Sequence, residues 1–264
     1  DESLPILRSY GNRLVLIEGA HDASRPSREN QANAVYRAFE RSSGNWLFLL
    51  DGDDVFARHK IEGVLRALLE ESSDVSLVQS TMTLIDEHGR PIGQYRDLRF
   101  HQDDALKTVY EHNDVDFFYP TSAMVLSRPA LARVLPLDMT VCPELACDTR
   151  IGMLMPLLGR IVTIDQPLAC WRRHRGSYIS ALGQSRWFSA QQTIRRIRTF
   201  NHASSEFAAP KISFWRNARL RRQIAGALLP ESIRRRWRPA RVIFHGKPAN
   251  KLDDVGAGVP ASPA

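Results

Sequence analysis

Short apolar runs alternate along this chain with longer stretches whose apolar residues recur at helical spacing. Arg13-Leu-Val-Leu-Ile17 reads as a strand, a polar loop follows, and residues 29–41 read as a helix stopped by Ser42-Ser-Gly44. Trp46-Leu-Phe-Leu-Leu50 is a continuous apolar run, which predicts a strand buried on both faces in a sheet covered by helices. Ile61, Val64, Leu65, Leu68 and Leu69 then mark one face of an amphipathic helix, closed by residues 70–74. Val75 to Ile85 predicts another strand, residues 86–90 a turn, and residues 91–95 the strand that returns from it. Strand alternating with helix in this way predicts the α/β class.

Charge divides the chain more sharply than its total suggests. The 264 residues carry a formal charge of +7, yet residues 1–170 sum to −8 and the remainder to +15. No apolar run approaches the roughly 18 to 20 residues of a membrane span, and the N-terminus lacks a signal-peptide layout, so a cytoplasmic location is expected. Cys142, Cys147 and Cys170 have neither disulfide-framework nor zinc-site spacing and are read as reduced, small apolar residues. Asp1 is not a methionine, and Leu4, Ile6 and Leu7 enter an element with no strand before them. The expectation is a chain that starts inside a domain.

Asp51-Gly-Asp-Asp54 follows the apolar run directly. Three carboxylates in four positions repel one another, and at the carboxyl end of an α/β strand a bound cation would relieve the repulsion. Oxygen ligands without nearby Cys or His favour Mg2+ or Mn2+. A solvated Asp-rich turn is the competing reading of the same residues.

Residues 29–56, with helix, small-residue turn, apolar strand and the D-x-D block, resemble the family 2 glycosyltransferases, whose fold is the GT-A type for nucleotide sugars. The likeness extends through Phe118-Tyr-Pro-Thr-Ser122, Arg128 to Pro136, Cys147-Asp148, Leu158-Gly159 and Pro167 to His174. It implies a mixed α/β sheet flanked by helices, lacking its first strand for want of about 40 upstream residues, with a basic helical C-terminal extension. By the same resemblance Asp1 and Asp51 belong to the donor site, Asp53 to donor and metal, and His174 to the metal. Asp148 is implied as the general base of an inverting transfer; on local sequence alone the preferred reading is a helix N-cap, and only the resemblance reverses that order. Thr121 and Ser122 are candidates for acceptor contact, and Arg172 and Arg173 for phosphate contact. The other histidines are assigned no role.

The expected organisation is a catalytic part over residues 1–180, a basic helical extension over 181–245 and a disordered tail over 246–264. Ile194, Ile197, Ile224 and Leu228 oppose Arg195, Arg196, Arg198, Arg219, Arg221 and Arg222 at helical spacing, and Arg234-Arg-Arg-Trp-Arg238 follows. A solvated face packed on the catalytic part competes with an interfacial helix on anionic lipid at the inner face of the membrane. No nucleic acid is expected, because no binding module accompanies the charge. The implied partners are a nucleoside-diphosphate sugar and a saccharide or lipid-linked acceptor, in cell-surface polysaccharide or glycolipid synthesis. A non-catalytic relative that binds a sugar nucleotide or a membrane through its basic part is the alternative.

Overall fold

The computed structural model describes residues 2–19, 22, 24–71, 74–101, 104–174 and 186–228. Asp1, the Arg234–Arg238 cluster and the tail from 246 lie outside the described residues.

Helix α1 (Ser3–Ser9) leads through a short turn to α2 (Ser27–Arg41), β1 (Trp46–Phe48), β2 (Val55–Phe56) and α3 (Lys60–Leu69). Strands β3 (Val75–Ile85) and β4 (Pro91–Tyr95) precede α4 (Ala105–His112), β5 (Met124–Ser127), α5 (Arg128–Val134) and α6 (Cys147–Leu154). The long β6 (Arg160–Arg172) is followed by α7 (Arg186–Ala203) and α8 (Ala218–Leu228).

Among the described residues six strands form one mixed sheet in the order β1-β5-β3-β6-β2, with β4 also paired to β3. Of its ladders, that between β3 and β6 is parallel and the others are antiparallel. Strand β3 is buried at every position, as befits a central strand without a charged side chain. Its Leu77 and Met82 enter the larger core, while Val75 and Val78 join Val125 and Leu168 in a smaller core against Val64 of α3. The sheet is thus covered on both faces, and the α/β class holds. Local signals set the helix ends: Asp104 accepts from Lys107 N–H at the start of α4, Ser127 accepts from Ala130 N–H at the start of α5, and Asn113 closes α4 at φ +50°.

Three sequence expectations change. Residues 13–17 form no strand: Arg13 ends a turn, and Val15 is 74% exposed with no ladder among the described residues. An apolar run becomes a strand only where an edge is available to pair it. Trp46–Phe48 is a strand, but an edge strand paired to β5, and half-buried rather than enclosed. Helix α3 keeps Val64 and Leu68 of the predicted face inward but is turned so that Lys60 is buried beside them and Ile61, Leu65 and Leu69 are exposed. The rotation follows from Lys60, whose ammonium is held inside.

The basic C-terminal helices pack on the sheet's larger core, contributing Ala190, Ile197, Phe200 and Leu220. Their arginines are only partly solvated. Arg196 meets Asp116 at 2.9 Å, Arg219 bonds to the same carboxylate, and Arg195 stands 3.6 Å from Glu144. The described part of these helices packs on the core, with Arg195, Arg196 and Arg219 facing acids and Arg198, Arg221 and Arg222 exposed. Among the described residues no helix is long and apolar enough to cross a membrane. The thiol of Cys147 is buried, whereas Cys142 and Cys170 are half-buried.

Candidate active site

The acidic loop 51–54 joins β1 to β2 and is fastened from two sides. On one, Asp51 N–H donates to the Ser122 hydroxyl at 3.0 Å, and side-chain hydrogen bonds link Thr121 to Asp51 and Ser122 to Asp54. From β6, Arg172 N–H donates to Asp54 Oδ1 at 2.8 Å and its guanidinium donates to Asp53 O at 2.7 Å. The same guanidinium reaches the carbonyls of Asp86 and Glu87 at 3.1 Å. Asp54 is therefore buried and occupied in holding the loop, which leaves the Asp53 carboxylate 47% exposed.

His174 follows β6, and its Nε2 lies 3.0 Å from Asp53 Oδ2, joining two residues that the sequence separates widely. Asp148 sits in the first turn of α6, where Ala146 rather than Asp148 is the N-cap. Its Oδ1 accepts from Thr149 N–H at 2.6 Å. Asp51, Asp53, Asp148 and His174 all line one cavity of about 730 Å³, and Asp51 and Asp148 also border a second of about 630 Å³ between α2 and β1.

Electrostatics distinguish the carboxyls. Burial, and then the nearby charge of Asp148, push the Asp51 carboxyl up to about 6, although Thr121 opposes the rise. Burial also raises Asp54, against the bonds from Ser122 and Arg172. Burial, and then Asp148, push the neighbouring Cys147 thiol up to about 12, so it is inert as a nucleophile.

Among the described residues no cluster of three or more His, Cys, Asp or Glu side chains is gathered for a metal. The Asp53–His174 pair still fits one. Both groups line the cavity and touch through a 3.0 Å hydrogen bond that a bound ion would replace. Ions of this class bind through one or two protein groups and complete their shell with water and phosphate.

Of the predicted residues, Asp51, Asp53, Asp148 and His174 share the cavity. Thr121 also borders it but is buried with Ser122, and both serve the acidic loop. Arg172 is engaged by backbone carbonyls, and the Arg173 guanidinium lies 4.8 Å over the Trp171 ring. Asp1 lies outside the described residues. Missed by sequence reasoning were Lys60, whose ammonium donates to Ser122 O at 2.9 Å, and the charged group of Arg99, Asp116, Arg196 and Arg219 that lines the same cavity. The helical spacing of Arg196 and Arg219 was visible, but not their shared acid Asp116, which lies 103 positions before Arg219; Arg99 went unread.

Residues 1–133 match the glycosyl transferase family 2. A curated relative, an uncharacterized glycosyltransferase of Nostoc sp. (strain PCC 7120), is 28% identical over 163 residues, which is 60% of this chain and 50% of the relative. The chain therefore spans half the length of that relative. Two solved structures align with 86% of the chain at a TM-score of 0.49. One is S. aureus TarS 1-349 in complex with UDP-GlcNAc, 14% identical and covered over 59%; the other is a mannosyltransferase from Pyrobaculum calidifontis in complex with GDP-Man and Mn2+, 15% identical and covered over 62%.

Proposed function

Because the chain belongs to glycosyl transferase family 2, we propose that it moves a sugar from a nucleoside diphosphate to an acceptor hydroxyl with inversion at the anomeric carbon. One observation carries the reading: a single cavity is lined by Asp51, Asp148 and the Asp53–His174 pair, with carboxylates of unlike exposure.

Asp148 takes the proton of the acceptor hydroxyl as that oxygen forms its bond to the anomeric carbon. The bond from that carbon to the diphosphate breaks on the opposite face, and its electron pair leaves with the phosphate. A positioned base of this kind contributes about 10²- to 10⁴-fold. Asp51 accepts hydrogen bonds from donor hydroxyls, and burial keeps water from competing for it. Asp53 and His174 would hold Mn2+ or Mg2+, which when bound stabilises the charge developing on the departing diphosphate. Arg172 keeps the loop backbone in place while this happens.

The test is a panel of UDP-, GDP- and dTDP-sugars incubated with the protein in Mn2+ and in EDTA, reading nucleoside diphosphate release. Release with at least one donor in Mn2+, abolished by EDTA, is expected. Silence across the panel would overturn the transferase reading and favour a non-catalytic, nucleotide-binding relative.

A further inference from the structure

We propose that the acceptor is an uncharged saccharide bound against α7, on the part of the cavity wall that the C-terminal helices supply. The inference rests on the transferase reading and narrows it to a substrate class.

The acidic loop and the C-terminal wall differ in how their charges are matched. Arg196 and Arg219 of the C-terminal wall are paired with acids, as is Arg99 of the same cavity. Arg196 meets Asp116 at 2.9 Å, Arg219 bonds to that carboxylate and stands 3.7 Å from Asp114, and Arg99 pairs with Asp97 at 2.5 Å. Burial pushes the Asp116 carboxyl up, but Arg196, Arg219 and Arg99 outweigh it and hold the group well below the usual carboxylate range. A phosphate or carboxylate on the acceptor would have to displace Asp116 from a largely buried partnership. It would also meet Asp51, Asp148 and Glu144 around the same space. Separating a buried ion pair costs more than a partly solvated replacement returns.

The neutral lining of the cavity has other chemistry. Phe188 and Gln192 of α7, Trp171 at the end of β6 and Gln31 of α2 all line the cavity. Aromatic faces take the C–H side of a sugar ring, and carboxamides both donate to and accept from its hydroxyls without asking for charge. Asp148 lines the same cavity as these side chains and Asp53, so an acceptor hydroxyl held against the neutral wall has a base within the space it occupies.

The experiment is saturation-transfer NMR on the full chain, without donor, using the methyl glycosides of glucose, galactose, mannose and N-acetylglucosamine beside their 6-phosphates and uronates. At least one neutral glycoside should bind, with its charged counterparts about tenfold weaker. Phe188→Ala and Gln192→Ala, each checked by its melting temperature, should weaken that binding about three- to tenfold. Equal or tighter binding of the charged probes, no binding of any neutral glycoside, or folded variants that bind like wild type would each overturn the proposal. Binding of a neutral glycoside by a protein that turns over no donor would leave this inference standing and remove the transferase reading instead.

Discussion

Lys60 donates its ammonium to the carbonyl oxygen of Ser122 at 2.9 Å, from a position only 1% exposed. The Ser122 hydroxyl in turn accepts Asp51 N–H, and the ammonium lies 4.7 Å from the centre of the Phe56 ring. A buried cation with neutral partners thus supports the backbone that supports the acidic loop.

Burial lowers the Lys60 ammonium from its ordinary 10.5 to about 8. The folded protein therefore holds this proton less tightly than the unfolded chain between pH 8 and 10.5, so this group makes folding more favourable as pH rises across that window and less so as it falls. The full effect is on the order of 3 kcal/mol. Urea denaturation of wild type and Lys60→Met across about pH 7–11 should show a stability difference that shifts in favour of wild type as pH rises. A difference constant with pH would show that the lysine titrates normally.

Asp148→Asn keeps the size of the side chain and removes its basicity. Transfer should fall about 10²- to 10⁴-fold while nucleotide-sugar binding and melting temperature stay near wild type. The check is kcat for transfer beside calorimetric binding of the donor; an unchanged kcat removes Asp148 from the base role.

Asp53→Ala and His174→Ala should each lower Mn2+-dependent turnover by at least about tenfold, the carboxylate more than the imidazole. Titration of Mn2+ by paramagnetic resonance in the presence of UDP reads the loss directly. If both variants bind Mn2+ as wild type does, the pair is a hydrogen bond and nothing more.

Removal of one partner should cost more at Asp116 than anywhere on the surface. Asp116→Ala leaves Arg196 and Arg219 facing each other without their shared acid, at an expected cost of about 3 kcal/mol or more, measurable by urea unfolding. A cost under about 1 kcal/mol would mean that the C-terminal helices are held by their apolar packing alone.

A Cβ placed on Gly159 would run into the carbonyl oxygen of Asp74. Because the obstruction is backbone, Gly159→Ala should destabilise by about 1–3 kcal/mol, seen as a lower melting temperature. An unchanged melting temperature would mean that the turn into β6 yields without cost.

The elements legible in the sequence were those whose pattern is local. Val75–Ile85 announced itself by a long uncharged run, and the helix read over residues 29–41, which in the structure starts at Ser27, by the Ser42-Ser-Gly44 that stops it. Periodicity gives an apolar face but not its orientation, which is how Lys60 came to be inside and Ile61 outside. It also gives no partner, so residues 13–17 resembled a strand without an edge to join. Asp51, Asp53, Asp148 and His174, which the family resemblance singled out, line one cavity, a juxtaposition that spacing along the chain does not supply. The work of Ser122 and Arg172 was not, since each acts through hydrogen bonds to backbone or carboxyl groups that approach only after the sheet forms.

The parallel ladder between β3 and β6 sets the order in which the site can exist. Residues 75–85 pair with residues 160–172, one of the more distant pairings in the sheet, and Arg172 at its far end ties down Asp53 and Asp54. During synthesis the carboxylates of the loop emerge long before the strand that fixes them. Closure of so long a connection is slow compared with local helix formation. The amide protons of the acidic loop should accordingly become protected from exchange only when the distant strand docks, making the geometry of that loop a late product of folding.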